Sequence, residues 1–167
     1  MRTKLIAAAV AVVVVVAGVV AFFTLRDDGD DKPRLPVARN ASLNPVVCAA
    51  IGTDDPSGTA TAEAAWQALL DAAATDKVNA QRLPITATSP ADAETYLSAL
   101  VARKCRVIVA TGLHVTAAAR TMAARGTEIQ WAVADPGQSA PQVIVLSTDP
   151  PTTHTQVRSL IHTILGA

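Results

Sequence analysis

The chain has 167 residues, enough for one domain with short flanking segments. Its charges balance, 14 Lys+Arg against 14 Asp+Glu, and no basic face or tail stands out, which argues against nucleic acid as a partner. Hydrophobic residues make up 50% but aromatics only 3%, so the core must be layered from small aliphatic side chains.

Arg2 and Lys4 precede an unbroken apolar run over residues 5–23. At 1.5 Å per residue these ~19 residues span roughly 28 Å as a helix, about one hydrocarbon core. The basic end predicts a cytoplasmic segment over 1–4, a single-pass membrane anchor over 5–23, and everything beyond outside the cytoplasm. A cleaved signal peptide is the competing reading, with Val19-Val20-Ala21 as a weak site and secretion as the result. Both put the rest of the chain outside the cytoplasm. Residues 24–45, with clustered Asp and three Pro, predict a disordered linker that cannot bury enough surface to offset its ordering entropy.

The domain expected over 46–167 alternates apolar runs with one-stripe helices. Val46–Gly52 (VVCAAIG) reads as a strand buried on both faces, the habit of parallel sheets. A polar turn follows, then a helix with its apolar stripe at Ala62, Ala65, Trp66, Leu69, Leu70 and Ala73. Val78–Ile85 reads as a weaker strand, and Pro84 predicts an edge position. Ser89 as N-cap, Pro90 at the first helical position and Asp92 near the positive helix end open the next helix, striped by Ala93, Tyr96, Leu97, Leu100 and Val101.

Cys105–Thr111 (CRVIVAT) is the central strand. The helix after Gly112 carries Val115, Ala118, Ala119, Met122 and Ala123, and Gly126 stops it. Glu128–Ala134 and Gln142–Leu146 supply the last two strands, and the final helix is striped by Val157, Leu160, Ile161, Ile164 and Leu165. This pattern predicts an α/β fold: a flavodoxin-like, mainly parallel five-stranded sheet in the order 2-1-3-4-5, with helices on both faces. The link from Asp135 to Pro141 is too short for a crossover helix, so the fifth strand has two possible directions, parallel or antiparallel.

In that order the first and third strands are neighbours. Cys48 and Cys105 then lie close together in an oxidising compartment, either as a disulfide or as two buried thiols.

Ligands of open α/β sheets bind beyond the carboxyl ends of the strands. Polar groups converge there: Asp54, Asp55, Ser57, Thr111, Gly112, His114 and Asp135, with Ser147 and Asp149 at the fifth strand. The first seven are the candidate ligand-binding residues. Asp, Ser, Thr and Gly are also ordinary turn and cap residues. No Gly-rich phosphate loop, nucleophile elbow or zinc-binding helix motif is present, and no nucleophile has an adjacent base. His154 and His162 are eight residues apart on one helix, too far for a helical metal pair. The expectation is a non-enzymatic protein without metal or cofactor. A hydrolase using Asp54, Asp55 and Asp135 around a metal is a third reading.

The run VVCAAIGTDD…TAEAAWQALLDAA, then ADAETYLSALVARKCRVIVATGLHVTAAARTMA, EIQWAVADPG and PQVIVLSTD resembles the first lobe of type 1 periplasmic binding proteins. The nearest likeness is to the basic membrane protein (BMP) family, which includes nucleoside-binding lipoproteins of ABC importers. The resemblance covers about residues 46–166. Asp54 and Asp55 match the family's acidic pair, while Thr61 and Ala62 stand where the family carries Phe and Asn. It implies one lobe of a solute-binding fold. Two functions follow as expectations: a tethered binding or protein-interaction module, pairing with itself or another protein, or a solute-binding component of an importer taking a nucleoside or other small polar ligand.

Overall fold

The computed structural model describes residues 43–55, 58–126, 128–135 and 140–166, all within the compact unit Ser42–Ala167. The predicted cytoplasmic segment, the anchor 5–23 and the linker up to residue 42 lie outside the described residues. Among the described residues no helix is long and apolar enough to cross a membrane.

The elements alternate: β1 (Val46–Gly52), α1 (Thr59–Thr75), β2 (Asn79–Ile85), α2 (Pro90–Ala102), β3 (Cys105–Thr111), α3 (Leu113–Ala124), β4 (Gln130–Ala134), β5 (Val143–Leu146) and α4 (Pro150–Leu165). The five strands form one sheet in the order β2-β1-β3-β4-β5, and every neighbouring pair is parallel. β1 is buried along its whole length because helices cover both of its faces. β2 sits at the edge, where Pro84 stands opposite Ile51 without interrupting an interior ladder.

Alternation along the strands sorts the core into two layers. Cys48, Ala50, Ile108, Ala110, Trp131 and Val133 point to one face, covered by Leu97 and Leu100 of α2 and by Val115, Ala119 and Met122 of α3. Val47, Ala49, Ile51, Val107, Val109 and Ala132 point to the other, covered by Ala65, Leu69 and Ala72 of α1 and by Val157 and Ile161 of α4. Each fully buried Leu, Ile or Val side chain contributes about 1.5–3 kcal/mol. Most of the remaining contact is alanine, which lets helices and sheet approach closely.

The face that α1 buries differs from the sequence expectation. Thr61, Ala62, Ala65, Ala68, Leu69 and Ala72 are buried, whereas Leu70 is exposed and Trp66 only partly covered. The stripe has moved back by about one residue. Small residues face the sheet and allow close approach, while the bulky Trp66 and Leu70 lie towards solvent. The stripe of α2 narrows similarly, since Tyr96 is exposed.

The direction of β5 is settled as parallel to β4, with Trp131 opposite Val143 and Ala134 opposite Leu146. The return is short because both strands are short, five and four residues. The chain must travel back only about three residues of strand, roughly 10 Å, and across one strand spacing.

Cys48 and Cys105 form a disulfide between adjacent strands, Cα–Cα 6.0 Å, and both are essentially without exposure. It joins β1 to β3 inside the layer covered by α2 and α3.

Candidate functional site

Two turns meet at the carboxyl edge where β1 and β3 lie side by side. After β1 the chain leaves through Gly52, Thr53, Asp54 and Asp55. After β3 it turns at Gly112, which has φ 91°, into α3. A Cβ on Gly112 would stand 2.8 Å from the Gly52 Cα, so the two turns pack backbone to backbone.

Beside this contact opens a pocket of about 460 Å³, lined by Asp55, Gly58, Thr61, Thr111, Gly112, Leu113, Thr116, Ala134, Asp135 and Thr148. Its floor is the end of β3. Thr111 alternates with Val107 and Val109, so its side chain lies on the α1 and α4 side of the sheet. Thr111 is 2% exposed, and its hydroxyl has no hydrogen-bond partner.

The helices that open on the pocket, α1 and α3, have glycine N-caps, Gly58 and Gly112, and therefore no cap side chain of their own. The other two are closed by side chains: Ser89 accepts from the Asp92 N–H at 3.2 Å, and Asp149 accepts from the Thr152 N–H at 3.2 Å. On the α1 side Asp55 Oδ1 accepts the Gly58 N–H at 3.1 Å, which places a negative charge near the positive end of that helix. Thr61 donates to the Thr148 carbonyl at 2.5 Å and ties α1 to the turn after β5. Across the pocket Asp135 pairs with Arg120 of α3. The Arg120 Nε and Nη2 are buried without a partner.

Four of the sequence candidates, Asp55, Thr111, Gly112 and Asp135, therefore share the pocket wall. Asp54 and His114 do not. His114 Nε2 lies 3.8 Å from Asp54 Oδ2, a pair beside the Gly52–Gly112 contact that holds the two turns. Ser57 lies outside the described residues. Ser147 and Asp149 do local work: the Ser147 hydroxyl accepts the Asp149 N–H at 3.0 Å, and Asp149 caps α4. Among the described residues no three His, Cys, Asp or Glu side chains come together to hold a metal ion.

Sequence reasoning missed Thr61, Thr116, Thr148 and Arg120. Thr116 and Arg120 follow Gly112 at helical intervals of four, so they lie on one face of α3 above the β3 turn. That periodicity was the available signal.

No family model matches the chain, and no curated protein matches it. Among solved structures the fold is similar to a fragment of a candidate lipoprotein from Peptoclostridium difficile 630. The match has a TM-score of 0.60 and 13% identity, and covers 72% of this chain and 98% of that one. At that identity the likeness shows the fold alone.

Proposed function

We propose that this protein is a membrane-tethered binding module outside the cytoplasm, not an enzyme, that takes a small polar ligand at the carboxyl edge of its sheet. The observation that carries this reading is the Thr111 hydroxyl, buried in the wall of an open pocket and bonded to nothing. A buried donor left unsatisfied costs about 1–3 kcal/mol, a cost that a bound polar ligand would remove.

The compartment rests on chemistry of a different kind. A disulfide such as Cys48–Cys105 persists in oxidising surroundings and is rare in the cytosol. The apolar run 5–23 behind Arg2 and Lys4 supplies a tether, and the description of the fold neighbour as a candidate lipoprotein points the same way. The chain enters β1 at the amino edge, which leaves the pocket at the opposite edge of the domain. The likeness to one lobe of the BMP family favours solute binding over chemistry. So does the pairing of His114 with Asp54 away from the pocket wall.

Thermal-shift measurement against nucleosides, sugars, amino acids and small anions tests the binding. A ligand present at about a thousand times its Kd should stabilise the fold by about 4 kcal/mol. No stabilisation by any of them would overturn small-ligand binding.

One observation favours a second reading, in which another protein covers the pocket. Leu113 stands in the pocket wall yet is 68% exposed, an apolar side chain at the mouth. Light scattering over a wide concentration range, with Leu113→Asp as the comparison, tests self-pairing. A chain that stays monomeric throughout would remove that form of it.

A further inference from the structure

We infer that the pocket takes a small zwitterion, an α-amino acid, with its carboxylate at the start of α3 and its ammonium group towards Asp55 and Asp135. The inference rests on the binding reading above and names the chemical class of its ligand.

The wall of the pocket has two chemically opposite sides. One is the segment Thr111-Gly112-Leu113. Here β3 ends and the 12-residue helix α3 begins, so the first-turn amides and the positive end of the helix dipole are directed at this spot. Gly112 has no side chain to close the helix. A second donor stands beside it, the Thr111 hydroxyl, 98% buried and without a partner. Backbone amides and one hydroxyl, with a helix behind them, form a receptor for an anionic oxygen.

The other side is acidic. Asp55 contributes a carboxylate at the start of α1, and Asp135 contributes one at the end of β4, offset by Arg120. These charges disfavour a phosphate or another dianion in the same space. They favour a cation, and an ammonium group supplies three donors for carboxylate oxygens.

Only a ligand with both charges satisfies both sides. A simple carboxylate meets the donors but faces the acids, and a simple amine does the reverse. Gly58 and Gly112 add no side chain of their own to the pocket lining, so a short ligand can approach backbone at these two points with the Asp55 carboxylate nearby. The pocket of about 460 Å³ leaves room beyond the charged head for a side chain, with Leu113 and Ala134 as its apolar wall.

The test uses the full-length chain in mild detergent and follows unfolding. The probes are L-leucine, L-glutamine and L-arginine, the amine and the acid corresponding to L-leucine (isopentylamine and 4-methylpentanoic acid), uridine, glucose and inorganic phosphate. Expected is a Tm rise of several degrees with at least one amino acid, and none with isopentylamine or 4-methylpentanoic acid. Thr111→Val should weaken that binding at least tenfold, and Thr111→Ser should restore most of it. A shift with uridine or glucose alone would overturn the zwitterion and leave the binding module standing. A shift with phosphate alone would do the same. Amino-acid binding untouched by Thr111→Val would overturn the placement at the start of α3. No shift with any probe would overturn this inference and the small-ligand reading together.

Discussion

Gly52 and Gly112 touch through their backbones at the point where β1 and β3 deliver their polar turns: a Cβ built on Gly112 would stand 2.8 Å from the Gly52 Cα. Gly112 also has φ 91° and ψ 147°, a region that essentially only glycine occupies. Gly112→Ala therefore meets two obstacles, a backbone conformation that alanine resists and a neighbour made of backbone that cannot swing away. We expect a loss of about 2–4 kcal/mol. Gly126 is the control. Its φ is 72°, but nothing lies within 4 Å of an added Cβ, so Gly126→Ala should cost only about 1 kcal/mol. Urea titration of both variants checks the ranking. Equal losses would mean that the Gly52 contact contributes nothing.

The same contact shows what the sequence made legible. VVCAAIG and CRVIVAT announced themselves as central parallel strands because β-branched and small residues continue across both faces. Pro84 marked β2 as an edge, and Ser89-Pro90 marked the start of α2. The carboxyl-edge rule located the pocket, since Asp55, Thr111, Gly112 and Asp135 all line it. What escaped depends on packing distance. The helical spacing of apolar residues puts Trp66 and Leu70 on the buried face of α1, whereas alanines decide how near a helix can come to this sheet. The partnership of Arg120 with Asp135 joins residues 15 apart through a tertiary contact that helical periodicity alone does not show. The sequence leaves the direction of β5 open because the link from Asp135 to Pro141 is shorter than a usual parallel crossover.

Glu63 gives a pH prediction with a definite sign. The Gln67 side-chain amide donates to it at 2.8 Å and the Arg82 guanidinium lies 3.0 Å away, and these hold its carboxyl below the ordinary glutamate value of 4.5. A folded-state pKa below the unfolded one means that the contribution is fully present above about pH 4.5 and is lost as pH falls through the folded value. The pair is solvent-exposed, so the effect should stay well under about 1 kcal/mol. Arg82 also stands 5.8 Å from the centroid of the Trp66 ring, which orders the guanidinium. Carboxyl NMR titration should place the Glu63 midpoint below that of Glu63 in an Arg82→Gln variant. Coincident midpoints would show that Arg82 exerts no hold on the carboxylate.

The Cys48–Cys105 bridge closes a loop across 57 positions of sequence. In the chain-entropy account, a loop of that length restricts the unfolded state by about 4 kcal/mol. Replacing both cysteines with alanine should lower stability by about 2–5 kcal/mol, a large share of the total for a domain of this size. Both sulfurs are shielded from solvent, so reductant should leave the native fold untouched and act only through unfolding. Alkylation of freed thiols with and without denaturant checks this. Rapid labelling of the native protein in mild reductant would contradict the buried placement.

Thr111 separates binding from stability, because its hydroxyl is a donor kept from water and left without a protein acceptor. If it were there only for packing, Thr111→Val would fill the same volume and change little. As a buried unsatisfied donor it carries a penalty in the free protein, and its replacement by a methyl group should raise the stability of the ligand-free chain by about 1–2 kcal/mol. The neighbouring Thr61 behaves in the opposite way. Its hydroxyl donates to the Thr148 carbonyl, so Thr61→Val loses that bond and should cost about 0.5–1.5 kcal/mol. Two threonines in one pocket, replaced identically, are thus expected to move stability in opposite directions. Denaturant unfolding of the two ligand-free variants reads the signs directly. A loss of stability at Thr111 comparable to that at Thr61 would mean that its hydroxyl is satisfied in solution and is not held open for a ligand.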